Sequence, residues 1–153
     1  MKKIFTLLTF ATFAIGFSQC NYKTLYQNGV SVKQFNPMPI GNDNNKQVAL
    51  SISNINGNNN LMVTIRFRER TEINKKIKFS FSDGTSIILT AQRVGEDFIG
   101  GSPISHLIFN LDEISQNKFE NNEISSVTLN GVNKITAKMY KSYVSENLKC
   151  FNQ

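Results

Sequence analysis

The segment from residue 75 to residue 94 constrains the fold most strongly, because apolar side chains recur at every second position on both sides of a turn signal. The recurring apolar residues are Ile77, Phe79, Phe81, Ile87 and Leu89. The turn signal is Asp83-Gly84, a residue pair that is common in tight turns between strands. A period of two on both sides of such a pair predicts a β-hairpin.

The length of the turn decides which faces of the two strands meet. A two-residue loop would place Phe79 opposite Ile88, so that apolar positions of one strand would share a face with polar positions of the other. A three-residue loop, with Gly84 in the left-handed conformation, instead pairs Phe79 with Ile87 and continues the apolar match along both strands. We therefore predict a three-residue loop.

Similar alternation extends along much of the remaining chain. The alternating segments are 30–35, 48–55, 61–67, 107–111, 124–129 and 133–139. Seven or eight short strands joined by turns favour an all-β fold, an antiparallel β-sandwich with one or two short helices. A closed up-and-down β-barrel is the alternative. Residues 95–101 interrupt the alternation and are predicted to form a loop.

Two segments have helical rather than extended patterns. Asn110, with Glu113 three positions later, is a variant of the capping box and predicts a short helix that ends near Phe119. Residues 145–151 are predicted to form a terminal helical turn that carries Cys150 onto the body of the domain.

The last predicted hairpin surrounds Asn130-Gly131, and its register stays open. A two-residue turn would set Val127 opposite Lys134. A longer loop would instead pair Val127 with Ile135.

Residues 1–18 have the organisation of a secretory signal peptide rather than of a folded segment. Two lysines are followed by an apolar run that ends at Ile15, and residues 16–18 match a small-x-small cleavage site. The run is too short for a membrane-spanning helix. We therefore predict export of a single β-rich domain, residues 19–153, with no transmembrane span in the mature chain. Its location would be periplasmic, cell-surface or extracellular.

The chain has two cysteines, Cys20 and Cys150, close to the two ends of the predicted mature domain. In an oxidising compartment we expect them to form a disulfide that ties both ends together. The alternative is that Cys20 is the acylated first residue of a bacterial lipoprotein. Residues 17–19 lack the aliphatic residue and the small residue that such a signal favours, so the disulfide is the prediction.

The main candidate site is a row of basic side chains on two neighbouring strands. Its members are Arg66, Arg68, Arg70, Lys76 and Lys78. If the two strands pair with their apolar faces matched, Arg66 lies opposite Lys78. The same register places Arg68 opposite Lys76. Like charges directly opposite repel by about 0.2 to 1 kcal/mol per pair, so this face would favour a bound anion. The alternatives are a solvated charged face, or strands that lie in different sheets.

The single histidine, His106, limits the enzyme hypotheses. A hydrolase would need His106 as the base, with Ser102 or Ser105 as nucleophile and Asp112 as the orienting acid. Ser105 is adjacent on a strand and so points to the opposite face, which weakens that hypothesis. Residues 42–45 offer one carboxylate, too few for calcium, and histidine or cysteine clusters that suit zinc are missing from the sequence. We predict no metal and no cofactor.

The predicted function is that of an exported, non-enzymatic binding or interaction module of the bacterial envelope or exterior. The expected partner is anionic, such as a polysaccharide or an acidic protein, bound through the basic sheet face. Nucleic acid is not expected, because the face lacks interleaved aromatic residues. The alternatives are a small β-barrel that carries an apolar ligand and a hydrolase that uses His106.

Overall fold

The structure is a computed structural model that describes residues 20–152 of the chain. The predicted signal peptide, residues 1–18, lies outside the described residues. The strands are β1 (Lys23–Gln27), β2 (Val30–Gln34), β3 (Met38–Asn42), β4 (Lys46–Ile55), β5 (Asn58–Phe67), β6 (Lys76–Phe81), β7 (Ser86–Thr90), β8 (Arg93–Ile99), β9 (Ser102–Asn110), β10 (Ile124–Leu129) and β11 (Asn133–Thr136). The helices are α1 (Glu113–Asn121), between β9 and β10, and α2 (Tyr143–Phe151), after β11.

The strands form two antiparallel sheets that pack face to face. The larger sheet has the order β1-β2-β4-β5-β9-β8, and β3 also pairs with β4. The smaller sheet has the order β11-β10-β6-β7. Both sheets end in edge strands rather than pairing end to end within the described residues. The predicted β-sandwich is therefore confirmed, and the alternative of a closed barrel is wrong.

The core lies between the sheets because the alternating apolar residues of each sheet face the other sheet. Buried side chains from the larger sheet include Val48, Leu50, Ile52, Leu61, Val63, Ile65, Leu107 and Phe109. The Phe79 ring of the smaller sheet contacts Phe109, with ring centroids 6.1 Å apart, and Phe119 of α1, with centroids 5.2 Å apart. Aromatic side chains of both sheets and of α1 thus meet in this interior.

The hairpin of β6 and β7 has the predicted three-residue loop. Phe79 pairs with Ile87, and Gly84 has φ of +82°, which is the left-handed conformation that glycine adopts readily. In the last hairpin, Val127 pairs with Ile135. In both hairpins the observed register is the one that matches apolar residues across the strands.

Both predicted helical segments are helical. The Asp112 carboxylate accepts a hydrogen bond from the backbone N–H of Ser115 at 2.8 Å, so Asp112 rather than the predicted Asn110 is the N-cap, and α1 begins two residues later than predicted. α2 packs beside α1, where the hydroxyl of Ser145 donates to the carbonyl of Glu120 at 3.0 Å. The two helices thus form one layer against the sandwich.

The segment 95–101 is not the predicted loop. It contributes most of β8, which pairs with β9 along its whole length. The loop between β8 and β9 is only Gly100-Gly101, with φ of +58° and +78°. Gly95 and two adjacent carboxylates lower the intrinsic strand preference of β8, and pairing with β9 overrides that preference.

One margin of the sandwich is closed by a tight backbone approach between β3 and β11. A Cβ atom built on Gly41 would lie 2.4 Å from the carbonyl oxygen of Thr136, so only glycine fits there. Next to it, the phenol of Tyr143 in α2 donates to the carbonyl of Asn36 at 2.6 Å. We call this margin, formed by β3, β11 and α2, the closed side.

A disulfide joins Cys20 to Cys150 and fixes the start of the described chain to α2, as the sequence indicated. Beside it, the rings of Tyr22, Phe35 and Phe151 contact one another. Disulfides are typical of oxidising environments outside the cytoplasm, so this bond agrees with export. Because the Cys20 sulfur is in the disulfide, it is not free to carry the lipid of the alternative hypothesis.

The opposite margin, formed by the edge strands β7 and β8, is much less covered, and we call it the open side. All seven residues of β8 are exposed, which means that neither face of this strand is packed. Among them, Phe98 is 68% exposed and Ile99 is 53% exposed.

Candidate binding cleft

The predicted pairing between the two basic strands is wrong. Arg66 lies opposite Gln47 on one side and Ile104 on the other, whereas Lys78 lies opposite Ile88 and Thr128. The reason is that residues 68–75 cross from the larger sheet to the smaller one instead of forming a turn within one sheet. The two rows of basic side chains therefore lie on opposite outer faces of the sandwich.

The five predicted anion-binding residues separate into three places. Lys76 and Lys78 are exposed on the smaller sheet. Arg70 lies in the crossing segment, where its guanidinium forms an ion pair with the Glu96 carboxylate of β8. Arg66 and Arg68 remain together at the end of β5, and these two alone line one cleft.

This cleft lies where the β3–β4 loop meets the end of β5 and the start of β9, and its volume is about 300 Å³. Its lining is mostly polar and consists of Asn42, Asp43, Asn44, Asn45, Lys46, Gln47, Arg66, Phe67, Arg68 and Ser102. We call it the cationic cleft, because three of these side chains are cations and one is an anion.

Lys46 is the unusual member of the cationic cleft. Only 8% of its side chain is exposed, yet the nearest carboxylate oxygen, from Asp43, is 3.9 Å from its ammonium nitrogen. The other oxygen of Asp43 already accepts backbone N–H groups from Asn45 at 2.8 Å and from Lys46 at 2.6 Å. Among residues 20–152 the Lys46 nitrogen is not one of the buried polar atoms that lack a hydrogen bond, so the buried part of this side chain is its aliphatic stem and the ammonium opens to the water of the cleft.

The two arginines add unpaired positive charge at the rim of the cleft. Neither guanidinium forms an ion pair with a carboxylate of residues 20–152. A Cβ atom built on Gly100 would lie 3.4 Å from a guanidinium nitrogen of Arg66, so the glycine turn of the β8–β9 hairpin leaves space beside this arginine. The planar donors of arginine suit a carboxylate, sulfate or phosphate group.

Sequence reasoning missed Lys46, although a signal for it exists. Val48, Leu50 and Ile52 alternate along β4, and the same period of two, extended back by one step, reaches Lys46. A lysine in phase with a buried apolar row is expected to be buried too. β5 pairs with β4 and β9 rather than with β6, and its register with β4 brings Lys46 to the cleft.

The structure does not assemble the hydrolase constellation around His106. Its Nδ1 atom lies 3.1 Å from the hydroxyl of Thr64 on the outer face of the larger sheet. Ser105 points to the opposite face, and Asp112 caps α1. Ser102 is on the same strand but four residues away, about 13 Å at the usual rise per residue, which is beyond hydrogen-bond reach.

Within residues 20–152, no three histidine, cysteine, aspartate or glutamate side chains lie close enough together to hold a metal ion. The Asn42–Asn45 segment is a turn closed by Asp43, and Gly100-Gly101 is a hairpin turn.

A second groove, of about 460 Å³, lies on the open side beneath β8. Its lining consists of Phe67, Arg70, Glu96, Asp97, Phe98, Pro103, Ile104 and Ser105. Arg70 is paired with Glu96, and the second carboxylate, that of Asp97, leaves the lining without a net positive charge. It is a less suitable anion site than the cationic cleft.

Comparison of the chain with models of protein families, with curated proteins and with solved structures gives no match. Neither helix in the described part of the chain has the length and apolar character that crossing a membrane requires.

Proposed function

We propose that the protein is an exported, non-enzymatic binding module that holds an acidic polysaccharide in the cationic cleft. The observation that carries this proposal is the convergence of three cations, Lys46, Arg66 and Arg68, on one cleft whose lining has a single carboxylate, that of Asp43, 3.9 Å from the Lys46 ammonium. A carboxylate or sulfate group of the ligand would balance this excess of positive charge. Arg66 and Arg68 would hold the same group from the rim through charge-assisted hydrogen bonds.

The neutral lining of the cleft favours a polysaccharide over an acidic protein. Four amide side chains surround the cations, from Asn42, Asn44, Asn45 and Gln47, and Ser102 adds a hydroxyl. Amide groups both donate and accept hydrogen bonds, as sugar hydroxyls do. The cleft thus offers cations for the acidic group of a sugar and neutral partners for its hydroxyls.

Two observations support the setting of this function. The Cys20–Cys150 disulfide fits the periplasm, the cell surface or the extracellular space, where acidic polysaccharides of the bacterial envelope occur. The separation of His106 from a nucleophile and an acid supports a role in binding rather than hydrolysis.

The proposal is tested by titration calorimetry of the disulfide-bonded protein with a short polyuronate oligosaccharide. We expect Arg66→Gln combined with Arg68→Gln to weaken binding about tenfold to a hundredfold, since hydrogen bonds to charged groups contribute about 1.5 to 3 kcal/mol and exposure reduces this. The matched control, Lys76→Gln combined with Lys78→Gln, removes the same charge from the smaller sheet and should leave binding unchanged.

A further variant, Lys46→Met, separates binding from folding. We expect it to weaken binding with little change in the free energy of unfolding, because methionine keeps the buried apolar stem of the side chain and only the solvent-facing ammonium is lost. Equal binding of a neutral oligosaccharide, or equal losses from the two double variants, would contradict the proposal. Preference for polyglutamate over the polyuronate would replace the polysaccharide by an acidic protein.

A further inference from the structure

The outer edge of β8 is an unpaired backbone edge of the described chain. All seven residues of this strand are exposed, and one of its edges pairs with β9 while the other pairs with nothing in residues 20–152. Every second residue of such a strand directs its N–H and C=O groups outward, which is a template for another strand. Proline, lysine, bulges and inward-pointing charges commonly block such edges. Residues 93–99 contain no proline or lysine, and the charge that points inward, that of Glu96, is neutralised by its ion pair with Arg70.

The charges of β8 are complementary to those of a second copy of β8 in the antiparallel direction. Two-fold symmetry places residues of the same face opposite each other, so the symmetry axis passes beside one residue of each strand. With Gly95 at the axis, Arg93 of one copy lies opposite Asp97 of the other, and this pair occurs twice. Both residues lie on the outer face of the larger sheet, as their pairing with Ile108 and Ile104 shows.

The neighbouring two-fold registers are less favourable. An axis at Glu96 would set the two Glu96 carboxylates directly opposite each other, and an axis at Asp97 would do the same for Asp97. An axis at Val94 would pair only residues 93–95 within the strands. With the axis at Gly95, the exposed Phe98 lies opposite residue 92 of the other copy, and the exposed Ile99 lies opposite residue 91.

We propose that two copies of this chain pair through the free edges of β8, antiparallel and centred on Gly95, and so join their larger sheets into one continuous sheet. The strand pairing covers residues 91–99, and none of these lines the cationic cleft. Ser102 of the cleft lies in the same β8–β9 hairpin but outside the paired residues. It is independent of the proposed polysaccharide binding.

A charge-swap series tests the dimer by sedimentation velocity of the disulfide-bonded protein over a wide concentration range. Arg93→Asp alone, or Asp97→Arg alone, converts two attractive pairs into two repulsive pairs. We expect each to raise the dimer dissociation constant about tenfold to a hundredfold. The double variant with both substitutions restores the complementarity and should restore the dimer.

Lys78→Glu on the smaller sheet is the control for a change of net charge and should leave the dimer intact. Amide hydrogen exchange should show β8 protected at high protein concentration and exposed on dilution. A monomer at all concentrations would overturn the proposal. A dimer whose dissociation constant does not change in the charge-swap variants would also overturn it, as would oligomers whose size increases without limit with concentration. Protection of β8 only after an unrelated extended peptide is added would assign the edge to a foreign strand instead.

Discussion

The two margins of the sandwich differ in how far their strands are covered: those of the closed side are packed, and β8 on the open side is exposed. On the closed side, Gly41 lets β3 approach β11 backbone to backbone, and α2 with its disulfide covers what remains. On the open side, β8 extends beyond the smaller sheet with both faces exposed. An unpaired strand edge is a template for another strand, and the proposed dimer would cover it.

The difference between the two margins predicts which substitutions lower stability and which change binding. Residues of the closed side are buried and tied to one another, so their replacement should lower the free energy of unfolding. The charged groups of the open side and of the cationic cleft reach solvent, so their replacement should change association with little loss of stability. The following predictions test this division in order of expected effect.

The largest effect is expected at the disulfide. Replacing Cys20 and Cys150 together by serine releases a bond that spans 130 residues of sequence and should lower the free energy of unfolding by about 4 kcal/mol. Guanidinium unfolding of the oxidised protein and of the double variant measures the difference. Phe98→Ala on the open side is the control and should change stability by less than about 0.5 kcal/mol. A loss at the disulfide no greater than that of the control would contradict the division.

A pair of glycine substitutions gives the sharpest matched comparison. Gly41→Ala places a methyl group 2.4 Å from a backbone carbonyl oxygen, whereas at Gly95 the nearest atom to the new methyl group is the Cβ of His106 at 4.0 Å. We expect Gly41→Ala to cost about 1 to 3 kcal/mol, as other overpacked sites do, and Gly95→Ala to cost less than about 0.5 kcal/mol. Thermal unfolding at low protein concentration keeps dimer formation out of the measurement. Equal costs would show that β3 and β11 are not held tightly together.

The core between the two sheets could be predicted well from the sequence, because burial of alternate side chains produces a local pattern along each strand. A period of two along the strands marks which residues face inward, and matching those faces across a hairpin fixed the pairing of Phe79 with Ile87. The same rule applied to two strands joined by residues 68–75 failed, because alternation fixes the face of a strand and not the sheet to which it belongs. Sheet membership depends on long-range packing.

The candidate site could be predicted only in part for the same reason. Arg66 and Arg68 are recognisable as a basic pair, but their neighbour Lys46 is 20 residues away from Arg66 in sequence and reaches the cleft through the β4–β5 register. The edge strand β8 was missed because its unpacked faces carry charges and a glycine, which resemble a loop. Regions without a buried face leave little periodic signal, and binding surfaces are such regions.

The third predicted change depends on pH and involves the closed side alone. Burial raises the pKa of the Tyr143 phenol from 10.0 to about 12. Between these values the unfolded chain loses the phenolic proton while the folded chain keeps it, so stability that is full below pH 10 should fall by about 2 kcal/mol as the pH rises to 12. Tyr143→Phe should flatten this alkaline decline, although it also removes the hydrogen bond to Asn36 and so lowers stability at neutral pH. Tyr140→Phe, at an exposed tyrosine just before α2, is the control and should retain the decline. Urea unfolding at a series of pH values compares the three proteins, and parallel curves for all three would show that Tyr143 is not protected from solvent as the closed side requires.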